Sequence, residues 1–401
     1  MKRILFVDDE NRALSVFERL LNDMAHDWEM VFVDSGAKAL EAMALKPFDV
    51  VVSDMMMPGM DGAELLMRVA NQFPQTVRII ISGHPNRSSV LRLVGPAHQY
   101  LPKPCDTELL RETILRAAAL RELIADEKLA KVVSQIQTLP SVPAVFMEMS
   151  MEMRAEEPSL VKIGHLISQD LGLCTKMLQL VNSAFFGLPQ PISNPVEAII
   201  HLGLDTVKNL VLSLQLFSVF EGVQLRHLCI ERLWNHCWTT AALAKRLVEA
   251  EGRGHLGNQA FLAGLVHDVG KFVLAVGLPA PYQEVLDAHH LGGKSLSDVE
   301  RQQFGASHAE AGAYLLALWG LPTPVVQAVA LHHRPGASSE KAFSVLTALH
   351  VANVLDHERD RPVDAALSSK IDMEYLAAIG LAKRLPYWRE LTTGHTEKHA
   401  A

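Results

Sequence analysis

The stretch Val50-Val51-Val52-Ser53-Asp54-Met55-Met56-Met57-Pro58-Gly59-Met60-Asp61-Gly62 decides how the first part of the chain folds. Its apolar run suits a strand buried on both faces, as in a parallel sheet covered by helices. The run ends on a carboxylate, Asp54, and in open α/β sheets ligands sit beyond the carboxyl ends of the strands. Pro58, Gly59 and Gly62 then turn the chain into the helix-like Ala63-Glu64-Leu65-Leu66-Met67-Arg68-Val69. Taken alone, Asp54 is better read as the cap of that helix.

Working outward, Ile4-Leu5-Phe6-Val7 reads as a strand ending on Asp8 and Asp9, with Leu14, Phe17, Leu20 and Leu21 following at helical spacing. Met30-Val31-Phe32-Val33 and a helix over 37–44 form a second such unit. Val77-Arg78-Ile79-Ile80-Ile81 ends on Ser82, and a short strand near Tyr100 leads to Lys103-Pro104 before a helix from Thr107. Strands alternating with helices imply a parallel sheet wound on both faces, with its polar groups gathered at one edge. Asp8, Asp9, Asp54, Ser82 and Lys103 all fall there. Carboxylates grouped this closely repel one another unless a hard divalent cation such as Mg²⁺ joins them. A lysine and a serine beside them could hold the oxygens of a phosphoryl group arriving on a carboxylate nucleophile.

These residues together resemble the receiver domain of two-component response regulators, a flavodoxin-like doubly wound α/β fold, over residues 1–120. The resemblance implies that Asp54 accepts a phosphoryl group from a sensor histidine kinase or phosphotransfer protein. It implies Mg²⁺ held by Asp9, Asp54 and the Met56 backbone carbonyl, with Asp8 acting through water. Ser82 and Lys103 would contact the phosphoryl group, Tyr100 would be the aromatic switch that packs inward, and Lys103-Pro104 would be a cis peptide. Met56 stands where Asn or Glu is common in the family, and a thioether cannot orient a hydrolytic water, so slow loss of phosphate is expected.

A chain of 401 residues exceeds what one core accommodates, so two or more domains are expected. Apolar residues make up 49%, enough for large cores, and the net charge of −8 argues against an electrostatic nucleic-acid footprint. Cys105, Cys174, Cys229 and Cys237 form no Cys-x-x-Cys pair, which suits a reducing compartment. Asp8-Asp9-Glu10 cuts short a signal-like start, and the apolar helical candidates, such as 210–220, fall short of a membrane span. A cytoplasmic protein without a membrane partner is the expectation. From Leu109 to Gln137, Leu110, Ile114, Ala117, Leu120, Ile124, Val132 and Ile136 recur among charges with no Gly or Pro. This predicts an amphipathic helix whose end, 121–138, links two domains. Its stripe suits packing on the first domain, a homodimer seam, or both in succession.

Over 139–390 strand signals give way to helical periodicity, as in Ile163, Leu166, Ile167, Leu171, Met177, Leu178, Leu180 and Val181, read as one helical run, and Val207, Leu210, Val211 and Leu214. Residues 391–401 read as a polar tail. The helical part carries His236, in a helix with Leu233, Cys237, Thr240, Ala244 and Leu247 facing inward, then His267-Asp268-Val269-Gly270-Lys271, His308 and His332-His333. Imidazoles and a carboxylate converging from several helices could hold Zn²⁺, Mn²⁺ or Fe²⁺, and such an ion could activate water against a phosphodiester. Helix caps and satisfied buried carbonyls are the plainer reading of each histidine alone. His26, His84, His98, His227, His255 and His357 read as surface residues.

The order of these residues resembles the HD superfamily of metal-dependent phosphohydrolases. Leu139-Pro140-Ser141-Val142-Pro143, Ile167-Ser168-Gln169-Asp170, the 180–187 stretch with Asn182-Ser183, and Trp319-Gly320-Leu321-Pro322 are similar to its HDOD subclass, regarded as a non-catalytic signalling output. Asn353 stands where an HD enzyme has Asp, and Arg334-Pro335-Gly336 replaces the Gly-Tyr-Pro turn of the cyclic di-GMP phosphodiesterases. The resemblance implies an adaptor that binds a downstream signalling protein. The alternative is a metal-dependent phosphodiesterase acting on cyclic di-GMP or a nucleotide.

Overall fold

The computed structural model describes residues 2–73, 76–82, 97–115 except 104, 106, 107, 109 and 112, 144–182 except 156, 192–219, 225–360 and 370–393. They fall into two compact units, one holding the sheet and the other most of the later helices. In the first, β1 (Lys2–Val7), β2 (Trp28–Val33), β3 (Val50–Asp54), β4 (Val77–Ser82) and β5 (Gln99–Pro102) form a parallel sheet in the order β2-β1-β3-β4-β5. Helices α1 (Asn11–Leu20), α2 (Gly36–Leu45) and α3 (Gly62–Gln72) alternate with the strands. This is the doubly wound order in which strands reverse direction of addition between β1 and β3. Strand β3 is buried along its whole length, as its valine run requires. The register Val7↔Ser53 and Asp54↔Ile81 puts Asp8, Asp54 and Ser82 at one end of the sheet. Asp54 is not the helix cap: Asp61 takes that part, its Oδ1 accepting the Glu64 N–H at 2.9 Å.

The second unit is built from helices, among them α4 (Leu160–Ser168), α5 (Leu171–Val181), α6 (Pro195–Leu202), α7 (Leu204–Val219) and α8 (Ile230–Ala250). They continue with α9 (Gly257–Val266), α10 (Val269–Gly277), α11 (Pro279–Leu291), α12 (Leu296–Phe304), α13 (His308–Leu318), α14 (Thr323–Leu331), α15 (Val345–Asp360), α16 (Met373–Ala378) and α17 (Leu385–Thr393). The run from Ile163 to Val181, which periodicity reads as one helix, is two. Asp170 breaks it by accepting the Leu173 N–H at 2.9 Å, so the chain restarts on a new cap. Asn194 and Pro195 likewise open α6. Residues 254–277 are long and apolar enough to span a bilayer, against the expectation that no segment is, yet 83% of that window is buried in the interior. Helices α8, α9, α14 and α15 pack on one another and carry or adjoin the histidines. Most of the linker over 109–137 lies outside the described residues, although Leu110 and Ile114 are buried.

Candidate functional sites

In the first unit the ends of β1, β3 and β5 bring Asp8, Asp54 and Lys103 together. Lys103 Nζ donates to Asp8 Oδ2 at 2.8 Å and sits 2.5 Å from Asp54 Oδ1. Burial pulls the Lys103 pKa down, but hydrogen bonds to Asp54 and Asp8 outweigh it and raise the value. The other Asp54 oxygen, Oδ2, accepts the Met56 N–H at 2.6 Å. Asp8 Oδ1 accepts the Glu10 N–H at 2.9 Å, which turns Asp8 inward and leaves Asp9 exposed. Ser82 is buried at the end of β4, and its carbonyl accepts the Lys103 N–H at 2.8 Å. The carboxylates are bridged by a single ammonium and all potential donors are oxygens, a set that fits Mg²⁺.

In the second unit two close approaches build the histidine centre. A Cβ on Gly264 would lie 2.3 Å from Ala241 Cα, so α9 seats directly on α8 and carries His267 to His236. A Cβ on Gly270 would lie 1.8 Å from the His308 carbonyl oxygen, so α10 and α13 meet there and Asp268 reaches His308. His236 and His267 Nε2 are 3.1 Å apart, and His308 Nε2 is 3.0 Å from His333 Nε2 and 3.2 Å from Asp268 Oδ1. Two triads result, His236–His267–Asp268 and His308–His332–His333, each with ligand atoms within 4.8 Å of one another.

The partners of the Nδ1 atoms decide which way the rings present their lone pairs. His236 Nδ1 donates to Asp356 Oδ2 at 2.7 Å, His267 Nδ1 to the Gly264 carbonyl at 2.8 Å, and His332 Nδ1 to the Val329 carbonyl at 2.7 Å. His308 Nδ1 donates to Glu300 Oε2 at 2.6 Å, and Glu300 Oε1 accepts from Tyr282 at 2.9 Å. In the neutral rings of His267 and His332, Nε2 is therefore an unprotonated acceptor aimed at the centre, whereas His308 turns its Nε2 to Asp268 Oδ1 at 3.2 Å. Burial drives the His267 pKa down to about 4 and those of His332 and His333 well below the usual range. For His308 burial acts downward too, but Glu300 and Asp268 reverse it and push the value up to about 8. His332 Nε2 is buried with no hydrogen-bond partner. Imidazole nitrogens about 2.0–2.1 Å from one ion lie about 3 Å from each other, so the observed spacings fit a metal.

Residues 4–115 match the response regulator receiver domain family, and residues 139–335 match the HDOD domain family. The chain thus carries a receiver domain followed by an HDOD domain. A crystal structure of an HDOD domain protein from Geobacter sulfurreducens superposes with a TM-score of 0.54 at 22% identity, over 67% of this chain and 92% of that one. A Treponema pallidum protein of uncharacterised function is 30% identical over 56% of this chain and 43% of its own length. The Escherichia coli K12 DNA-binding transcriptional regulator NtrC is 36% identical over 25% of this chain and 22% of its own. The chain thus spans under half the length of these curated relatives.

Of the receiver residues singled out in the sequence, the fold brings together Asp8, Asp54, Lys103 and the Met56 backbone, with Ser82 at the neighbouring strand end. The Tyr100 side chain and the Lys103-Pro104 bond lie outside the described residues. In the HDOD domain all six proposed ligands, His236, His267, Asp268, His308, His332 and His333, converge. Two of the histidines read as surface residues are not. His98 is buried, with Nδ1 accepting the Arg78 backbone N–H at 3.1 Å, and His357 stacks on His236 with ring centroids 4.3 Å apart. Sequence reasoning missed Asp356 and Glu300, which orient His236 and His308. Asp356 could have been found three residues after Asn353 on one helix face, whereas Glu300 sits in a charged segment that reads as solvated.

Proposed function

We propose that this response regulator is phosphorylated on Asp54 by a sensor histidine kinase or phosphotransfer protein, and that phosphorylation controls an HDOD output domain acting as an adaptor for a downstream signalling protein. The observation that carries the input half is the Asp8–Lys103–Asp54 cluster at the strand ends. Asp9, Asp54 and the Met56 carbonyl would hold Mg²⁺, with Asp8 acting through water. When bound, that ion supplies positive charge against the oxygens of the incoming phosphoryl group. Lys103 then holds a phosphoryl oxygen as a point charge and Ser82 offers its hydroxyl. Support for the adaptor comes from Asp268, only 2% exposed and already paired with Lys271 Nζ at 2.5 Å.

A second reading, metal-dependent phosphodiester hydrolysis, is favoured by the lone pairs converging in the histidine centre. His236, His267, Asp268, His308, His332 and His333 would hold Fe, Mn or Zn, which would supply an activated water. Treating the purified protein with acetyl phosphate and Mg²⁺ tests the input: label on wild type and none on Asp54→Asn is expected. Equal labelling of both would end it. Elemental analysis and a cyclic di-GMP hydrolysis assay on wild type, His267→Ala and Asp268→Ala test the output. Turnover lost in the variants would overturn the adaptor, and no turnover in wild type would overturn the enzyme.

A further inference from the structure

We infer that Met56 is a redox modification site: hydrogen peroxide converts its thioether to the sulfoxide ahead of the other described methionines, and the sulfoxide shortens the lifetime of phosphorylated Asp54. The effect on lifetime rests on the reading of Asp54 as the phosphoacceptor, whereas the selectivity of oxidation does not.

The selectivity follows from how the loop after β3 is pinned. Met55 donates its N–H to the Ile81 carbonyl at 3.1 Å, and its own carbonyl accepts the Gly62 N–H at 3.0 Å. A Cβ on Gly62 would lie 2.1 Å from the Asp54 carbonyl oxygen, so the chain returns from the loop hard against the end of β3. Inside that frame Met55 is 2% and Met57 7% exposed. Met60 is partly covered, its Sδ 2.8 Å from where a Cβ on Gly36 would stand. Met56 has no such seat. Its N–H is held by Asp54 Oδ2 at 2.6 Å, which fixes the backbone, and its side chain is 72% exposed. Among the described methionines Met67 on α3, at 53%, and Met373 on α16, at 46%, follow it. A reagent that must reach the sulfur from water meets Met56 first. Oxidation there places the new polar group in solvent, whereas at Met55 or Met57 it would disrupt the packing beneath the loop.

The only co-reactant is the peroxide. A sulfur lone pair attacks one peroxide oxygen, and the O–O bond breaks as the S–O bond forms. Sulfur is oxidised by two electrons and the peroxide is reduced. The departing hydroxide takes the proton from the transferred oxygen and leaves as water, so one thioether and one hydrogen peroxide give one sulfoxide and one water.

The consequence lies in what the transferred oxygen accepts. A thioether sulfur is a weak acceptor, and its oxidation makes the same side chain polar. Residue 56 is tied through its backbone to the carboxylate that takes the phosphoryl group. The sulfoxide oxygen therefore enters beside the acyl phosphate, where it accepts a hydrogen bond from an attacking water and orients it. Because Met56 is exposed, methionine sulfoxide reductases reach it and restore the thioether. Oxidant would thus clear the signal reversibly.

The test treats full-length protein with limiting hydrogen peroxide, removes the excess with catalase and returns oxidised thiols with dithiothreitol, which leaves sulfoxides in place. Peptide mass spectrometry locates the sulfoxide. The protein is then phosphorylated with acetyl phosphate and Mg²⁺, the phosphodonor is removed, and phosphate-affinity electrophoresis follows the decay. Met56 is expected to oxidise first, with Met55 and Met57 protected, and decay should quicken by about tenfold, the gain expected from positioning one water. The two methionine sulfoxide reductases, one for each epimer, should restore the slow decay in wild type, a reversal that needs no variant. Met56→Leu should decay at one rate before and after peroxide, whatever that rate is. The double variant Met67→Leu, Met373→Leu should respond to peroxide as wild type does. Met56 left intact while Met67 or Met373 is oxidised, or Met56 oxidised with decay unchanged or slower, overturns the inference and leaves the phosphorylation of Asp54 standing. Untreated wild type that takes up no phosphoryl group overturns the Asp54 reading and the lifetime effect with it.

Discussion

The receiver and HDOD centres share one device, a lysine laid on a carboxylate at 2.5 Å, and differ in what surrounds it. Lys103 is 31% exposed and lies at the open end of a sheet, with Met56 72% exposed beside it. Lys271 is 13% exposed and its partner Asp268 is enclosed by helices. The first arrangement leaves room for a group to reach Asp54 and for the lysine to change partner, because water can share its charge during the exchange. The second holds the pair in place, because a buried charge that loses its partner is left uncompensated. One pair is suited to a switch and the other to a scaffold.

The sharpest break in this comparison is chemical. Asp54→Asn, or removal of Mg²⁺ by chelation, should abolish phosphoryl uptake from acetyl phosphate altogether, while Asp268→Asn leaves uptake unchanged. Phosphate-affinity electrophoresis reads both. Next comes stability in the metal-free protein. Lys271→Met strands the Asp268 charge and should destabilise the HDOD domain by about 3 kcal/mol. Lys103→Met, in a more solvated pair, should shift the receiver by only about 1 kcal/mol. Hydrogen exchange resolves the units separately, and equal effects would erase the distinction drawn from burial.

Acid separates the two units more gently. His267 has a folded pKa of about 4 against an ordinary 6.5, so the unfolded chain takes a proton in that window that the folded chain refuses. Its contribution to stability is present above pH 6.5 and lost as pH falls toward 4, at about 1.4 kcal/mol per pH unit. His332 and His333 add in the same direction. His308 acts oppositely, its stabilisation complete below pH 6.5 and lost as pH rises through about 8, so it does not blunt the acid slope. Among its described residues the receiver holds a comparable group, His98, lowered by burial and by Arg78. Hydrogen exchange between pH 6.5 and 5 should weaken the HDOD helices more steeply than β4 and β5, and His98→Gln should flatten the receiver's slope.

What the sequence disclosed follows the same division. The α/β half was legible because a strand end is a local signal: Val50 to Ser53 names the strand and Asp54 its end, and four such ends, of β1, β3, β4 and β5, coincide once the sheet is parallel. The helical half was legible as helices and as six candidate ligands, but not as the two triads they form. That grouping depends on how closely α9 seats on α8 and α10 on α13, and on which ring nitrogen each Nδ1 partner fixes, and these are tertiary facts. His98 misled for the same reason, since an isolated histidine in a polar stretch carries no mark of the Arg78 strand beside it. Helix α5 was hidden because Asp170, a cap, also fits an exposed helical position.

The smallest expected effect bears on how long the receiver stays switched. Met56 contributes its backbone N–H to Asp54 Oδ2 at 2.6 Å and extends its side chain into solvent. A substitution there therefore changes what stands over the acceptor without disturbing the bond that orients it. A thioether offers no strong donor or acceptor to a water attacking the phosphoryl group, whereas an amide offers both. Met56→Asn should speed loss of phosphate from Asp54 by about tenfold, the modest gain expected from positioning one water. The decay of phosphorylated protein after removal of the phosphodonor measures it. An unchanged rate would mean that access of water to the open receiver site, and not its orientation by residue 56, sets the lifetime of the signal.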